Sequence, residues 1–203
     1  MPKTREQCQE IKDERRESII KTCVKLFSYH DYQSVSVDTI TKAANCSHGL
    51  FYHYFTSKEH VFDATLQYAL ADIHGVVYRN YDDDQPPKEA LTNIINSIVE
   101  ILSSKVDDII AELYLLINLH LKTNWQVHIK PTLMTKQKPL FHVMIEKIEN
   151  GQKDGSFEKG SAREYAIALM SMIKGLAYNR LHLGYDRFTC PSTHILMNVL
   201  KKD

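Results

Sequence analysis

Apolar residues recur at three- and four-residue intervals along most of the chain, with polar residues between them, which is the period of an α-helix. No run alternates with the two-residue period of a strand, and no segment repeats. A first helix is expected from about Glu10 to Tyr29, after a polar arm (residues 1 to 8) that carries Lys3 and Arg5. A fourth helix starts at Lys58, shows Val61, Phe62, Thr65, Leu66, Ala69 and Ile73 on one face, and fades near Tyr78. The acidic turn Asp82-Asp83-Asp84-Gln85-Pro86-Pro87 then breaks the pattern. A fifth helix (about Pro87 to Leu102) places Leu91, Ile94, Ile95, Ile98 and Ile101 on one side. A sixth (about Val106 to Leu121) is apolar nearly all round, with Ile109, Ile110, Leu113, Leu115, Leu116, Ile117 and Leu119, and so belongs at the centre of the body. Thr123 to Pro139 reads as an irregular connection or a short helix. A seventh helix runs to about Lys153 and stops in Asp154-Gly155, an eighth runs from about Ala162 to Leu183, and Pro191 opens a ninth carrying Ile195, Leu196, Val199 and Leu200. The expected fold class is all-α, with about nine helices.

The second and third helices are short and sit inside Ser36 to Lys58, SVDTITKAANCSHGLFYHYFTSK, the stretch that organises the rest. Ser36 can accept an unpaired N–H of a first turn and serve as an N-cap. Val37, Ile40, Ala43 and Ala44 follow as one apolar face, and Asn45 tolerates the left-handed conformation that ends a helix. Ser47 caps the next helix, HGLFYHYF, in which Phe51 and Phe55 can bury one side. Two short helices joined by a tight turn are a helix-turn-helix signature. His48, Gly49, Leu50, Tyr52, His53 and Tyr54 fill the remaining circumference, where a surface helix with no other role would show Glu, Lys and Gln. Small, aromatic and imidazole groups near a helix start suit phosphate and base-edge contact, and the helix N-termini add free N–H groups for phosphate. Ser57 caps the following helix. It leaves Lys58 at the positive end of a helix dipole, where a cation calls for a nearby anion and DNA phosphate is the expected one.

At these residues the chain resembles the TetR family of transcriptional regulators. The likeness covers about residues 10 to 66, and the run SHGLFYHYF followed by SKEHVF is its most specific part. Ile19, Ile20, Leu26, Phe27 and Tyr32 stand at the family's apolar positions. Asp31 and Asn45 replace a usual Gly, and Leu50 replaces a common small hydroxyl residue. The resemblance implies a three-helix DNA-binding head (residues 1–57) and a ligand-binding and dimerisation body (58–203). It implies Ser36, Ser47, His48, Gly49, Leu50, Tyr52, His53, Tyr54 and Lys58 as the DNA-binding set, a tilt of the fourth helix that sets the spacing of two heads, and a homodimer through helices at about 162–183 and 191–201. Small residues of the eighth helix, Ala166, Ala168, Ser171, Gly175 and Ala177, would permit close approach of the two copies.

Composition narrows the picture less than the pattern does. Twenty-five basic and 25 acidic residues leave no net charge. The first sixty residues carry nine basic side chains (Lys3, Arg5, Lys12, Arg15, Arg16, Lys21, Lys25, Lys42, Lys58) against eight acidic ones (Glu6, Glu10, Asp13, Glu14, Glu17, Asp31, Asp38, Glu59). Placement of cations must therefore matter more than their sum. No stretch approaches the ~18 consecutive apolar residues of a membrane span, and the polar start is unlike a signal peptide, so a cytoplasmic protein is expected. Four cysteines show no metal spacing and no paired motif. Cys23 and Cys46 fall on apolar faces, while Cys8 and Cys190 are the more exposed candidates for oxidation.

No nucleophile–base pair, fixed carboxylate pair, Gly-rich phosphate loop or metal motif stands out, so no catalytic residue, metal site or cofactor is expected. By family resemblance an unknown small-molecule effector would bind between the fourth and eighth helices, with Tyr78, Tyr114, Asn118, His120, Trp125, His142 and Tyr178 as candidate lining. The leading expectation is a ligand-responsive repressor that binds a palindromic operator in double-stranded DNA as a dimer. A helical-bundle enzyme or small-molecule-binding protein with a vestigial head is the alternative. On the leading reading, Lys58→Ala is expected to weaken binding to all duplexes about equally and to flatten the salt dependence, read by titrating cognate and scrambled duplexes at several salt concentrations.

Overall fold

The computed structural model describes residues 5–121 and 140–201, and every regular element among them is helical. In order these are α1 (Arg5–Tyr29), α2 (Val37–Ala43), α3 (His48–Tyr54), α4 (Lys58–Val77), α5 (Pro87–Leu102), α6 (Asp107–Leu121), α7 (Leu140–Asp154), α8 (Ala162–Leu183) and α9 (Thr193–Met197), with single 3-10 turns at Tyr32–Ser34, Tyr185–Arg187 and Asn198–Leu200. The expected bounds of α5 and α8 match those observed. The expected connection at Thr123–Pro139 lies outside the described residues, as do residues 1–4 of the arm. Arg5 to Cys8, expected in that arm, are instead the first residues of α1.

Two hydrophobic clusters divide the interior, and the division falls inside α4. Val61, Phe62, Ala64 and Leu66 join Ile19, Ile20, Cys23, Phe27, Ile40, Phe51 and Phe55 in the head, whereas Ile73 and Val77, one to three turns further on, belong to the body. A boundary at residue 57 thus marks a turn in the chain, while the cores part between Leu66 and Ile73. α6 is shared. Ile110, Leu113 and Ile117 face the body, and Leu115, with Leu116 and Leu119, packs into the head cluster. Each fully buried Leu or Ile side chain stabilises by about 1.5–3 kcal/mol, so α6 is held from both sides, as its all-round apolarity predicted.

Buried charges pin the connections. Arg180, on α8, is fully buried; it donates to the Ser104 carbonyl at 2.7 Å and pairs with Asp107 at 2.9 Å, fixing the turn between α5 and α6. Lys147, on α7, is 3% exposed and reaches the Asp83 carbonyl at 2.8 Å and its carboxylate at 3.2 Å. The acidic turn is exposed as expected, but Asp83 is anchored. The ninth helix is shorter than expected: Pro191 precedes it, Ser192 occupies the N-cap position, and only Leu196 of its five residues is buried while Ile195 stays 58% exposed. On α8, Ala166 and Ala177 fill the chain's own core rather than an outer face. Ile167, Ser171, Met172, Gly175 and Tyr178 are among its exposed residues. Cys190 is half-buried, and burial pushes its thiol up, opposite to the activation that oxidation favours.

α7 ends where Gly155 takes a left-handed φ of 84°, and the chain folds back so that Phe157 N–H donates to the Gly151 carbonyl at 2.9 Å. The Phe157 ring then lies directly on Gly151, where a Cβ would come within 2.2 Å of it. A Cβ at Gly75, inside α4, would meet nothing within 4 Å. Gly75→Ala is therefore expected to stabilise the protein by about 0.4–1 kcal/mol. Gly151→Ala is expected to destabilise it by about 1–3 kcal/mol through overpacking, less so when Phe157 is first shortened to Leu. Urea unfolding of the three variants checks the opposite signs.

Candidate nucleic-acid interface

Local chemistry sets the geometry of α2 and α3. Ser36 Oγ accepts from Thr39 N–H at 3.1 Å, Ser47 Oγ from Leu50 N–H at 3.1 Å, and Ser57 Oγ from His60 N–H at 3.1 Å, so all three expected serine caps form. At the third cap the His60 ring reaches back one residue past the cap: its Nδ1 accepts from Thr56 N–H at 3.1 Å, next to the Ser57 N–H that a reciprocal capping box would use. Asn45 is the one non-glycine with positive φ (47°) among the described residues, as its turn position required. Arg15 of α1 donates to the carbonyls of Ala44 and Asn45 at 3.2 and 2.6 Å, closing the C-terminal end of α2. That contact spans some thirty positions and leaves no local signature along the chain.

Burial corrects one detail of α2. Ile40, Thr41 and Ala44 are buried and Val37 half-buried, while Ala43, expected on the apolar face, is exposed. Thr41 satisfies its hydroxyl on the Asp38 carbonyl at 3.1 Å, which lets a polar side chain point inward. Phe51 and Phe55 are fully buried and sit 5.7 Å apart, with the Arg16 guanidinium 5.3 Å from the Phe55 ring.

With Phe51 and Phe55 inward, the outer side of α3 is fixed. His48, Gly49, Tyr52 and His53 are exposed, as are Ser36 and Ser47 at the two N-termini. Tyr52 exposes 53% of its surface, a large aromatic left in water. Leu50 and Tyr54 are half-buried, and Tyr54 packs against the head cluster, so it is the least available of the expected set. His48 Nε2 lies 3.0 Å from the Asp38 carboxylate, joining the start of α3 to the start of α2. Asp38 was not among the expected residues.

Lys58 departs from expectation. Its ammonium donates to the carbonyls of Tyr32 and Val35, each at 3.0 Å, and stands 4.2 Å from the centre of the Tyr32 ring. The charge at the N-terminus of α4 is thus answered by two backbone oxygens and an aromatic face, and an external anion is not needed. Lys58 ties the α1–α2 connection to α4. Tyr32 in turn donates to Glu59 at 2.7 Å, which holds the Glu59 carboxyl below its usual range.

The expected effector residues are not drawn into one cluster. Tyr114 is 9% exposed and its ring lies 6.0 Å from that of Tyr178, yet Tyr178 is 46% exposed on the outer side of α8. His142 is exposed on α7, and Asn118 is half-buried on α6. The backbone of His120 closes α6, but its side chain and Trp125 lie outside the described residues. Tyr78 buries its hydroxyl without a partner, and His74, one turn earlier and stacked on it at 4.5 Å, does the same with Nδ1. Burial keeps His74 below the usual histidine range. Tyr78, at the C-cap of α4, was among the expected residues, and His74 was missed. Among the described residues no group of three His, Cys, Asp or Glu could hold a metal ion, and no helix is long and apolar enough to cross a membrane.

Residues 19–65 match the family model described as bacterial regulatory proteins, tetR family. The chain is 28% identical over 95 residues, 47% of its length, to the HTH-type transcriptional regulator HbdR of Aromatoleum sp. (strain CIB), covering 42% of that protein. It is 28% identical over 83 residues, 41% of its length, to the HTH-type transcriptional repressor NicS of Pseudomonas putida, covering 39% of it. The matches thus span less than half the length of these curated relatives. A solved structure of AibR in complex with isovaleryl coenzyme A and operator DNA shares the fold over 91% of this chain and 94% of its own, with a TM-score of 0.63 at 15% identity.

The tether role of Lys58 has its own test. Lys58→Ala should lower the unfolding free energy of the DNA-free protein by about 1.5–3 kcal/mol, the usual worth of a hydrogen bond to a charged group. Unchanged urea unfolding, together with uniformly weaker duplex binding, would return Lys58 to a phosphate-contacting role.

Proposed function

We propose that this chain, which belongs to the TetR family of bacterial regulatory proteins, is a ligand-responsive DNA-binding transcriptional regulator that acts as a repressor. The observation that carries the reading is the outer side of α3. A seven-residue helix, fixed from behind by fully buried Phe51 and Phe55, leaves His48, Gly49, Tyr52 and His53 in water beside two serine-capped N-termini. In a major groove, His48, Leu50 and His53 would face base edges, and Ser36, Ser47 and Tyr52 would take phosphates. Gly49 admits the backbone close to the duplex.

A palindromic operator calls for a two-fold dimer. The outward residues of α8 (Ile167, Ser171, Met172, Gly175 and Tyr178), with exposed Ile195 of α9, support a self-complementary contact there. AibR, described with both isovaleryl coenzyme A and operator DNA, supports an arrangement with a duplex on the head and a small molecule in the body. In this chain the unpartnered Tyr78 hydroxyl and His74 Nδ1 are the polar groups that an effector in the body would satisfy. An effector that prefers the released state by about 1–3 kcal/mol relieves repression roughly 5–150-fold.

The experiment is selection of the purified protein on a random duplex library at two salt concentrations. Enrichment of a two-fold symmetric site, with affinity that falls as salt rises, is the expected outcome. Folded protein, stripped of any co-purified small molecule, that enriches no sequence at low salt would overturn the proposal.

A further inference from the structure

Glu112 lies on α6 with 3% of its surface exposed, and its Oε2 has no hydrogen-bond partner. A buried carboxylate without a partner is among the costliest groups a protein can hold. The side of α6 that carries Asp108, Glu112, Leu115 and Leu119 faces the head: Lys25 of α1 pairs with Asp108 at 2.8 Å, and both leucines pack in the head cluster. Glu112 therefore sits in the seam where α6 meets α1 and α4.

Its charged surroundings offer no counter-ion. From α1 come Lys21, already paired with Glu17 at 2.7 Å and 5.9 Å from the Tyr68 ring, and Lys25, already paired with Asp108. From α4 come Tyr68 and Asp72, and from α6 itself Asp108. Each nearby cation serves another carboxylate, and two of the remaining neighbours are acids.

We propose that Glu112 is a proton-operated latch between head and body. With a proton on its carboxyl the seam of α1, α4 and α6 closes as described; once ionised, its unpaired charge draws water in and loosens the head from the body.

Burial first, then the negative charges of Asp72 and Asp108, push the carboxyl up to about 8, while Lys21 pulls it down. In an open seam a hydrated glutamate titrates near its ordinary value of 4.5. Between those two values the closed seam holds more protons than the open one, so it loses stability with each rise in pH; above about 8 the loss is complete. Glu112→Gln keeps the shape without the charge, and its seam should stay closed throughout.

The test uses the full chain without DNA. The Glu112 carboxyl is followed by carbon NMR of glutamate-labelled protein, identified by its absence in Glu112→Gln. Amide hydrogen exchange, corrected for the intrinsic effect of pH, is read in the same samples at residues 21–27 and 113–119. The expected result is a carboxyl midpoint near 8, with seam protection in the wild type that falls by about tenfold per pH unit as pH rises toward that midpoint, levels off above it, and stays flat throughout in Glu112→Gln. Asp72→Asn, which keeps Glu112 in place, should move the carboxyl midpoint and the pH at which protection levels off down together, so the proposal stays testable if Glu112→Gln does not fold. A carboxyl midpoint below about 6, or the same loss of protection in Glu112→Gln, would overturn it. Alkaline weakening of duplex binding, absent from Glu112→Gln, is the functional consequence and rests on the proposed DNA-binding role. The seam readout does not, so failure of one is separable from failure of the other.

Discussion

One helix serves two hydrophobic cores, and that sharing is the constraint on which the remaining structure rests. α6 gives Leu115 to the head and Ile110, Leu113 and Ile117 to the body. It cannot turn about its axis without exposing apolar surface on one side or the other. α1 and α4 pack on its head-facing side and α8 on the opposite one, so their mutual angles are set by how they lie on α6. α4 runs through both clusters as well and forms the second link. These are the two helices that belong to both clusters, and both carry polar groups that burial leaves without partners: Glu112 on α6, and His74 with the C-cap residue Tyr78 on α4.

Polar tethers complement the shared wall. Arg180 and Lys147 are buried cations, each held by one backbone carbonyl and one aspartate carboxylate, and each fixes a connection that the hydrophobic pattern leaves loose. Arg15 and Lys58 do the same in the head, at the end of α2 and at the start of α4. A cation that donates to carbonyls holds a loop in place without requiring that the loop contribute a charge of its own.

What the sequence disclosed follows from the range of the physics involved. The serine caps at 36, 47 and 57, the left-handed Asn45 and the helical faces of α4 and α5 depend on neighbours within about four positions, and they were legible. The inward turn of Thr41 and the outward turn of Ala43 were not, because a side-chain hydrogen bond to the Asp38 carbonyl offset the cost of burying a hydroxyl. Lys58 was visible as a cation needing a partner, but the partners lie 23 and 26 positions away, so a phosphate was inferred where carbonyls stand. The pairing of Asp38 with His48 and the tethering by Arg15 are likewise products of the fold. The outer side of α3 was legible because Phe51 and Phe55, once assigned inward, fix the rest by helical geometry. The effector residues were not, since single polar residues on apolar helices carry no period.

The internal commitments of the head's cations reach into its kinetics. Arg15 and Lys58 bind carbonyls, Arg16 lies over Phe55, Lys21 pairs with Glu17 and Lys25 with Asp108. Five of the nine basic side chains in the first sixty residues are engaged in this way, which trims the positive charge free to trade for condensed counterions along an arbitrary duplex. Non-cognate DNA holds a protein almost wholly through that exchange, so on the proposed DNA-binding role each cation held inside the head shortens residence on arbitrary sequence. Selectivity in such a head grows from the weakness of its background as much as from the strength of its target.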